Sequence, residues 1–352
     1  MRAFNYYKVT AVPQAISLLK QHQGKAAILA GGSDIFTLMK DRVEGPKMKV
    51  PQHLLDITGI KELHGISSEK NGLKIGAMTT LADIAASPLL LDKYSLLAQA
   101  AGQVAVPQIR NVGTLGGTLC QRPRCWYFRG KLFKECRRKG GENCYAMSGE
   151  NQYHAIFPAD NCAMVCPSDM ATALAALGAS VEIETIKGKK LVSIEQFYLK
   201  PEKNPLQETL LAPTDMVLSV SIPAPAPNSK SIYLKLKERE AFDFAIVSVA
   251  AIVTFKDDVV SAARIALGGV GPVPLRATGA EAALKGKKLI DGPSIPHPPP
   301  FALSLSKGIA DLRTGLAAAC AASVKEASPL GNNSYKVVAI KGLMEKALTS
   351  LV

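Results

Sequence analysis

The chain is 352 residues long with a mass of 37.3 kDa, room for about two domains at the usual ~100–200 residues each. Hydrophobic residues supply 47% and charged residues 20%, a balance that excludes a largely disordered chain and supports a sizeable core. No apolar run approaches the ~18 residues that cross a bilayer, and Met1-Arg2-Ala3-Phe4 opens no apolar export segment, so neither a membrane span nor a Sec-type signal is expected.

In chain order, residues 12–19 read as a helix with Ala15, Ile16, Leu18 and Leu19 apolar, and residues 26–30 as a buried strand. Residues 54–57 and 73–75 read as strands, and 81–86 and 96–104 as helices. Residues 169–177 are helical in pattern and 181–184 extended. The proline-rich seam Ile222-Pro223-Ala224-Pro225-Ala226-Pro227-Asn228 marks a boundary between domains at 1–222 and 228–352. Beyond it, three strands at 232–236, 245–255 and 259–267 precede helices near 276–284, 309–324 and 336–348. Residues 293–307, with His297-Pro298-Pro299-Pro300, read as an irregular loop. The expected class is α+β, with a small three-stranded sheet covered by helices at the C-terminal end.

The net charge is +13. Such a balance suits nucleic acid, an anionic partner or a basic solvated surface, and no helix-turn-helix or RNA-binding signature selects the first. Two glycine-rich turns carry more. Ala30-Gly31-Gly32-Ser33-Asp34 follows a buried strand, where paired glycines let backbone N–H groups approach a phosphate and Ser33 adds a hydroxyl. The second runs from Ile109-Arg110-Asn111 through Gly113-Thr114 to Gly116-Gly117-Thr118. It is not G-x-G-x-x-G, so a Rossmann reading is poor, and two ordinary glycine turns remain the alternative. Pro167-Ser168-Asp169 suits a helix start, where capping alone would account for Asp169. The five histidines form no metal-spaced pair, and no G-x-S-x-G serine is present.

Six of the seven cysteines, Cys120, Cys125, Cys136, Cys144, Cys162 and Cys166, lie between residues 120 and 166; Cys320 sits alone in an alanine-rich helical pattern and reads as inert core. A chain this long builds its own core without disulfides, so clustered thiols point to a metal. Cys125, Cys136, Cys144 and Cys162 lack the paired knuckles of a zinc ribbon. A cluster held by four thiolates tolerates such irregular loops, and Arg122, Arg124, Arg129, Arg137, Arg138 and Lys139 would offset its charge. A basic, aromatic loop that binds RNA or a protein is the competing reading.

Together these segments resemble the FAD-binding (medium) subunits of the molybdenum hydroxylases, the xanthine and aldehyde dehydrogenase group. The resemblance runs through both glycine turns, Pro167-Ser168-Asp169, Lys235 with Arg239 and Asp243, and Ile265-Ala266-Leu267-Gly268-Gly269-Val270 followed by Pro274-Leu275-Arg276. Residues 293–315 match no part of the family pattern. The cysteine segment is similar to the insertion of members with an extra 4Fe-4S cluster, such as periplasmic aldehyde oxidoreductase, which leaves Cys120 and Cys166 as spare thiols.

The resemblance implies a two-part FAD-binding domain of the PCMH/vanillyl-alcohol-oxidase-like type, a cysteine-rich insertion at about 120–166, and a C-terminal domain of the CO dehydrogenase flavoprotein type. It implies FAD held at its pyrophosphate and adenosine side by Ile28, Leu29, Ala30, Gly31, Gly32, Ser33, Asp34 and Ile35, together with Thr114, Gly117 and Thr118. Asp169, Val217 and Lys235 would lie near the flavin or ribityl chain, and Cys125, Cys136, Cys144 and Cys162 would hold the 4Fe-4S cluster. The implied partners are a molybdenum-cofactor large subunit and a 2Fe-2S small subunit, in a heterotrimer or its dimer, with no nucleic acid. The implied role is electron relay to FAD and an external acceptor, in the cytoplasm or, for a complex exported folded with a twin-arginine-bearing partner, the periplasm. A cysteine-rich RNA- or protein-binding module without redox role is the alternative.

Overall fold

The computed structural model describes residues 1–157, 161–289 and 307–352, with side chains from 315 onward in the last segment. The irregular loop expected at 293–307 lies outside the described residues, as does most of the 293–315 stretch.

Three sheets organise the chain. The first is parallel, in the order β1 (Asn5–Lys8), β3 (His53–Asp56), β2 (Ala26–Leu29). The helix Val12–Gln21 joins β1 to β2; Pro13 fits its first turn, where a missing N–H costs nothing, and it buries Val12, Ala15 and Leu19. The second sheet is antiparallel, in the order β4 (Ile66–Glu69), β5 (Gly72–Gly76), β8 (Met216–Pro223), β6 (Ser180–Thr185), β7 (Gly188–Ser193). Ile75, Val181, Ile183 and Val220 from this sheet share one core with Leu97 and Leu174, from the helices Ser95–Gly102 and Asp169–Leu177.

The third sheet corrects an expectation. It has four strands, not three, in the order β12 (Leu275–Arg276), β11 (Val259–Gly268), β10 (Val247–Lys256), β9 (Ser229–Leu236). The added strand is two residues long, too short to leave a period-2 pattern. Alternation along β10 divides two cores. Val247, Val249, Ala251 and Val253 face Leu284, Ile340 and Met344 of the C-terminal helices, whereas Ala250 faces the core of the second sheet. Small residues on that second face, Ala250 and Ala266, let the helix Asp169–Leu177 lie close, so the two domains share an apolar core there. The proline-rich seam is the link from β8 to β9. Among the described residues no helix is long and apolar enough to cross a membrane.

The cysteine-rich segment has little regular structure: a short helix, Trp126–Arg129, and two single turns, Arg137–Lys139 and Tyr145–Met147. Phe128, Cys136 and Val43 bury a small cluster there, and Tyr127, Phe133 and Tyr145 pack ring against ring.

The two glycine turns abut. A Cβ on Gly31 would stand 1.8 Å from the Val112 carbonyl oxygen, so only glycine permits this contact. Gly31→Ala should therefore destabilise the fold by about 3 kcal/mol through forced overpacking. Gly24, at φ +71° with open space around its Cβ position, should lose only about 1 kcal/mol on the same change. Urea denaturation of the two variants checks the contrast; equal losses would refute it.

Candidate functional site

The first glycine turn leaves β2 and enters the helix Ile35–Lys40. Gly32 takes a left-handed φ of +73°, and Ile28, Leu29 and Ile35 pack into the cores flanking the parallel sheet. In the second turn, Thr114 caps the helix Leu115–Leu119 by accepting from the Gly117 N–H at 3.1 Å. A Cβ on Gly117 would meet only Thr114 Oγ1, at 3.0 Å, so this backbone faces open space. Thr118 is buried and lies 3.3 Å from Ser168 Oγ, hydroxyl to hydroxyl. The geometry thus brings Gly31, Thr114, Gly117 and Thr118 to one region and continues it towards Ser168.

Asp34 has a role that its place in a glycine turn did not announce. Its Oδ1 accepts from Arg124 Nη2 at 2.9 Å and Arg129 Nη2 at 2.7 Å, and its Oδ2 accepts from the Arg122 backbone N–H at 2.8 Å. The first glycine turn is thereby fastened to the cysteine-rich segment. Arg122 and Arg138 both pair with Glu208. Arg122, Arg124 and Arg129, expected to serve the cysteines, are therefore held by carboxylates, whereas Arg138, although paired with Glu208, still acts on Cys162.

Ser168 caps the helix Asp169–Leu177, and Asp169, in its first turn, forms a buried ion pair with Lys235 Nζ at 2.8 Å. Tyr233 donates its hydroxyl to the other carboxylate oxygen at 2.6 Å, and Lys235 also donates to the Gln103 carbonyl. Val217 of β8 is buried in the core. Asp169 opens onto a cleft of about 290 Å³ between the domains, also lined by Arg124, Trp126, His154, Thr172, Glu238, Asp243, Phe244 and Ser248. Of the residues expected to hold FAD, only Asp169 lines this cleft; Cys125, expected to hold the cluster, lines it as well. Ser248 Oγ, buried in its wall, has no hydrogen-bond partner among the described residues. Ser248 could be found from sequence only as a polar residue in the apolar run at the start of its strand.

Cys125, Cys136, Cys144 and Cys162 line a second, small cavity together; Cys120 and Cys166 do not. Each of the four sulfurs accepts from backbone N–H groups: Tyr127 and Phe128 on Cys125, Arg138 and Lys139 on Cys136, Ala146, Met147 and Ala163 on Cys144, and Met164 on Cys162. Burial pushes the Cys125 thiol up to about 12, while a hydrogen bond from Cys162 pulls Cys144 down to about 6. Arg138 and Lys139 are fully buried beside them. Arg138 Nε and Nη1 have no partner among the described residues. Among the described residues no three His, Cys, Asp or Glu side chains close around a single ion. Four thiols, amide donors on each sulfur and buried cations fit a larger anionic group, whose core would span the gap between sulfurs. His154, missed in the sequence, lines both cavities and stands 3.2 Å from Cys125 Sγ through Nε2. Burial, with the Lys336 ammonium nearby, pulls its pKa down to about 4.

Residues 2–225 match the family model for the FAD binding domain in molybdopterin dehydrogenase, and residues 232–295 that for the CO dehydrogenase flavoprotein C-terminal domain. The aldehyde oxidoreductase FAD-binding subunit PaoB of Escherichia coli is 36% identical over 286 residues, 81% of this chain and 86% of that one. The carbon monoxide dehydrogenase medium chain of Hydrogenophaga pseudoflava is 30% identical over 81% of this chain and 80% of its own. A solved structure of carbon monoxide dehydrogenase from that organism, lacking the Mo-pyranopterin moiety of the molybdenum cofactor, superposes with a TM-score of 0.72 at 27% identity. It covers 99% of this chain and 97% of that one. Similarity across both domains sets aside the RNA- or protein-binding module.

The Asp169–Lys235 pair makes a quantitative prediction. Lys235→Met should cost about 3–5 kcal/mol, because it strands a buried carboxylate. Adding Asp169→Leu should recover much of that loss, since replacing both charges removes the stranded group. Denaturant midpoints of the single and double variants decide it, and a double variant no more stable than the single would show the reading to be wrong.

Proposed function

The chain belongs to the FAD-binding subunits of the molybdenum hydroxylases, and from that premise we propose that it relays electrons within such an oxidoreductase and holds a 4Fe-4S cluster beside its flavin. The observation that carries the proposal is the common wall: Cys125 and His154 belong both to the four-cysteine cavity and to the cleft at Asp169.

FAD, when bound, takes electrons singly and passes on pairs; a 4Fe-4S cluster supplies a one-electron site. The residues of this chain bind and orient. The turn of Ala30, Gly31, Gly32 and Ser33 offers backbone N–H groups and a hydroxyl to the pyrophosphate and adenosine side, while Gly117, without a side chain, leaves room for it beside Thr114 and Thr118. Ser168 and Asp169 present the cleft wall to the flavin end, while Lys235 holds Asp169 from behind. Cys125, Cys136, Cys144 and Cys162 would ligate the cluster, and the buried Arg138 and Lys139 would offset its charge. The partners are a molybdenum-cofactor large subunit, which oxidises an aldehyde or heterocycle, and a 2Fe-2S small subunit. The relatives' descriptions as medium chains and FAD-binding subunits support that place in a complex.

Anaerobically purified protein should be brown-yellow, with one FAD and about four irons per chain. Single Cys→Ser changes at 125, 136, 144 and 162 should each lose or weaken the EPR signal of the reduced cluster while FAD remains, because a missing thiolate leaves one iron open to solvent. Changes at Cys120 and Cys166 should leave iron content unaltered. Gly117→Val should lower flavin absorbance with iron retained, since its backbone faces open space. Zinc in place of iron, or iron loss on changing Cys120 or Cys166, would force a different assignment.

A further inference from the structure

His154 lines both the cysteine cavity and the cleft. Its Nε2 lies 3.2 Å from Cys125 Sγ, the sulfur of a residue that lines both cavities. The residue is held by ring and backbone alike. Trp126 and Tyr127 pack against the imidazole with ring centroids 6.0 Å away. The backbone carbonyl accepts from Asn333 Nδ2 at 3.2 Å and from Lys336 Nζ at 3.0 Å, and the backbone N–H donates to the Asn151 carbonyl at 2.9 Å.

That N–H bond to Asn151 closes a tight turn, and the Asn333 and Lys336 contacts come from the far end of the C-terminal domain. These bonds fix the backbone and the two aromatic rings pack the imidazole; Nδ1 is buried without a partner among the described residues, so the contact of Nε2 with the sulfur is the one polar contact of the ring among them.

We propose that His154 is a positioning residue for the cluster: its Nε2–H donates to the Cys125 sulfur and sets the reduction potential of the cluster facing the flavin cleft. This inference rests on the cluster reading given above. A sulfur bound to iron is only an acceptor, so the ring hydrogen must lie on the nitrogen that faces it. An N–H···S bond grows stronger as the sulfur gains negative charge, so it favours the reduced cluster and raises its potential. Of the four cysteines lining the cavity, Cys125 is the one that also lines the cleft. The bond therefore acts on the side of the cluster nearest the flavin.

The test uses the intact protein, purified anaerobically with its iron and flavin. Redox titration followed by EPR should show a lower cluster potential in His154→Phe, an intermediate one in His154→Gln, whose amide can still donate, and an unmoved flavin potential in both. Selective ¹⁵N-histidine labelling of the wild-type protein should reveal a ring nitrogen weakly coupled to the reduced cluster. That second measurement needs no variant, so it stands even where His154→Phe fails to keep its iron. A wild-type potential in an iron-replete His154→Phe protein, or no histidine nitrogen coupling in an iron-replete wild type, overturns the role of His154 and leaves the cluster standing. Wild-type protein without iron overturns the cluster and this inference together.

Discussion

The buried pair of Asp169 and Lys235 is the interaction on which the arrangement of the two domains depends. Asp169 belongs to the helix packed under the five-stranded sheet, and Lys235 to β9 of the four-stranded one. A lone charge at either position would be costly, and the pair is tolerable because the polar groups around it are matched. The helix start favours the carboxylate, Tyr233 donates to it, and Lys235 reaches the Gln103 carbonyl as well. The cleft lies beside this pair, so its width follows from how closely helix and strand approach. Alanines at 250 and 266 make that approach close.

The positive balance of the chain looks different once its cations are located. Arg138, Lys139 and Lys336 are buried, and Arg122, Arg124 and Arg129 face Asp34 or Glu208. Charge that a composition count assigns to the surface is, at these positions, held inside or against carboxylates. A surface stripe of the kind that grips nucleic acid phosphates needs its cations free in solvent. Lys336 shows how a buried ammonium is accommodated: it donates to the carbonyls of Tyr153, His154 and Gly269.

Legibility in the sequence followed the strength of the local signal. The helices at 81–86 and 169–177 coincide with their apolar periodicity, and Ser168 is the cap that its residue type suggests. The short or solvent-facing strands β1, β4, β7 and β12 carry too few buried side chains to show alternation. β8 is a different case, since Leu218, Val220 and Ile222 alternate with Ser219 and Ser221, a pattern open to sequence reading. The four-cysteine grouping was legible because thiols are rare and chemically distinctive. His154 was not, because its partners are Cys125, Asn333 and Lys336, distant in sequence and joined only by the fold. The ties of Asp34 to Arg124 and Arg129 were hidden for the same reason.

Asp34 makes the glycine turn and the cysteine-rich segment a single thermodynamic unit. One carboxylate satisfies two guanidinium groups and a backbone N–H from the segment, while its own backbone shapes the turn. Free energy of coupling between two sites is reciprocal. A change that stabilises the ordered turn through this carboxylate therefore favours the ordered segment by the same coupling free energy, and the reverse holds equally. A turn and a segment separate in sequence thus share one side chain, whose loss would uncouple them.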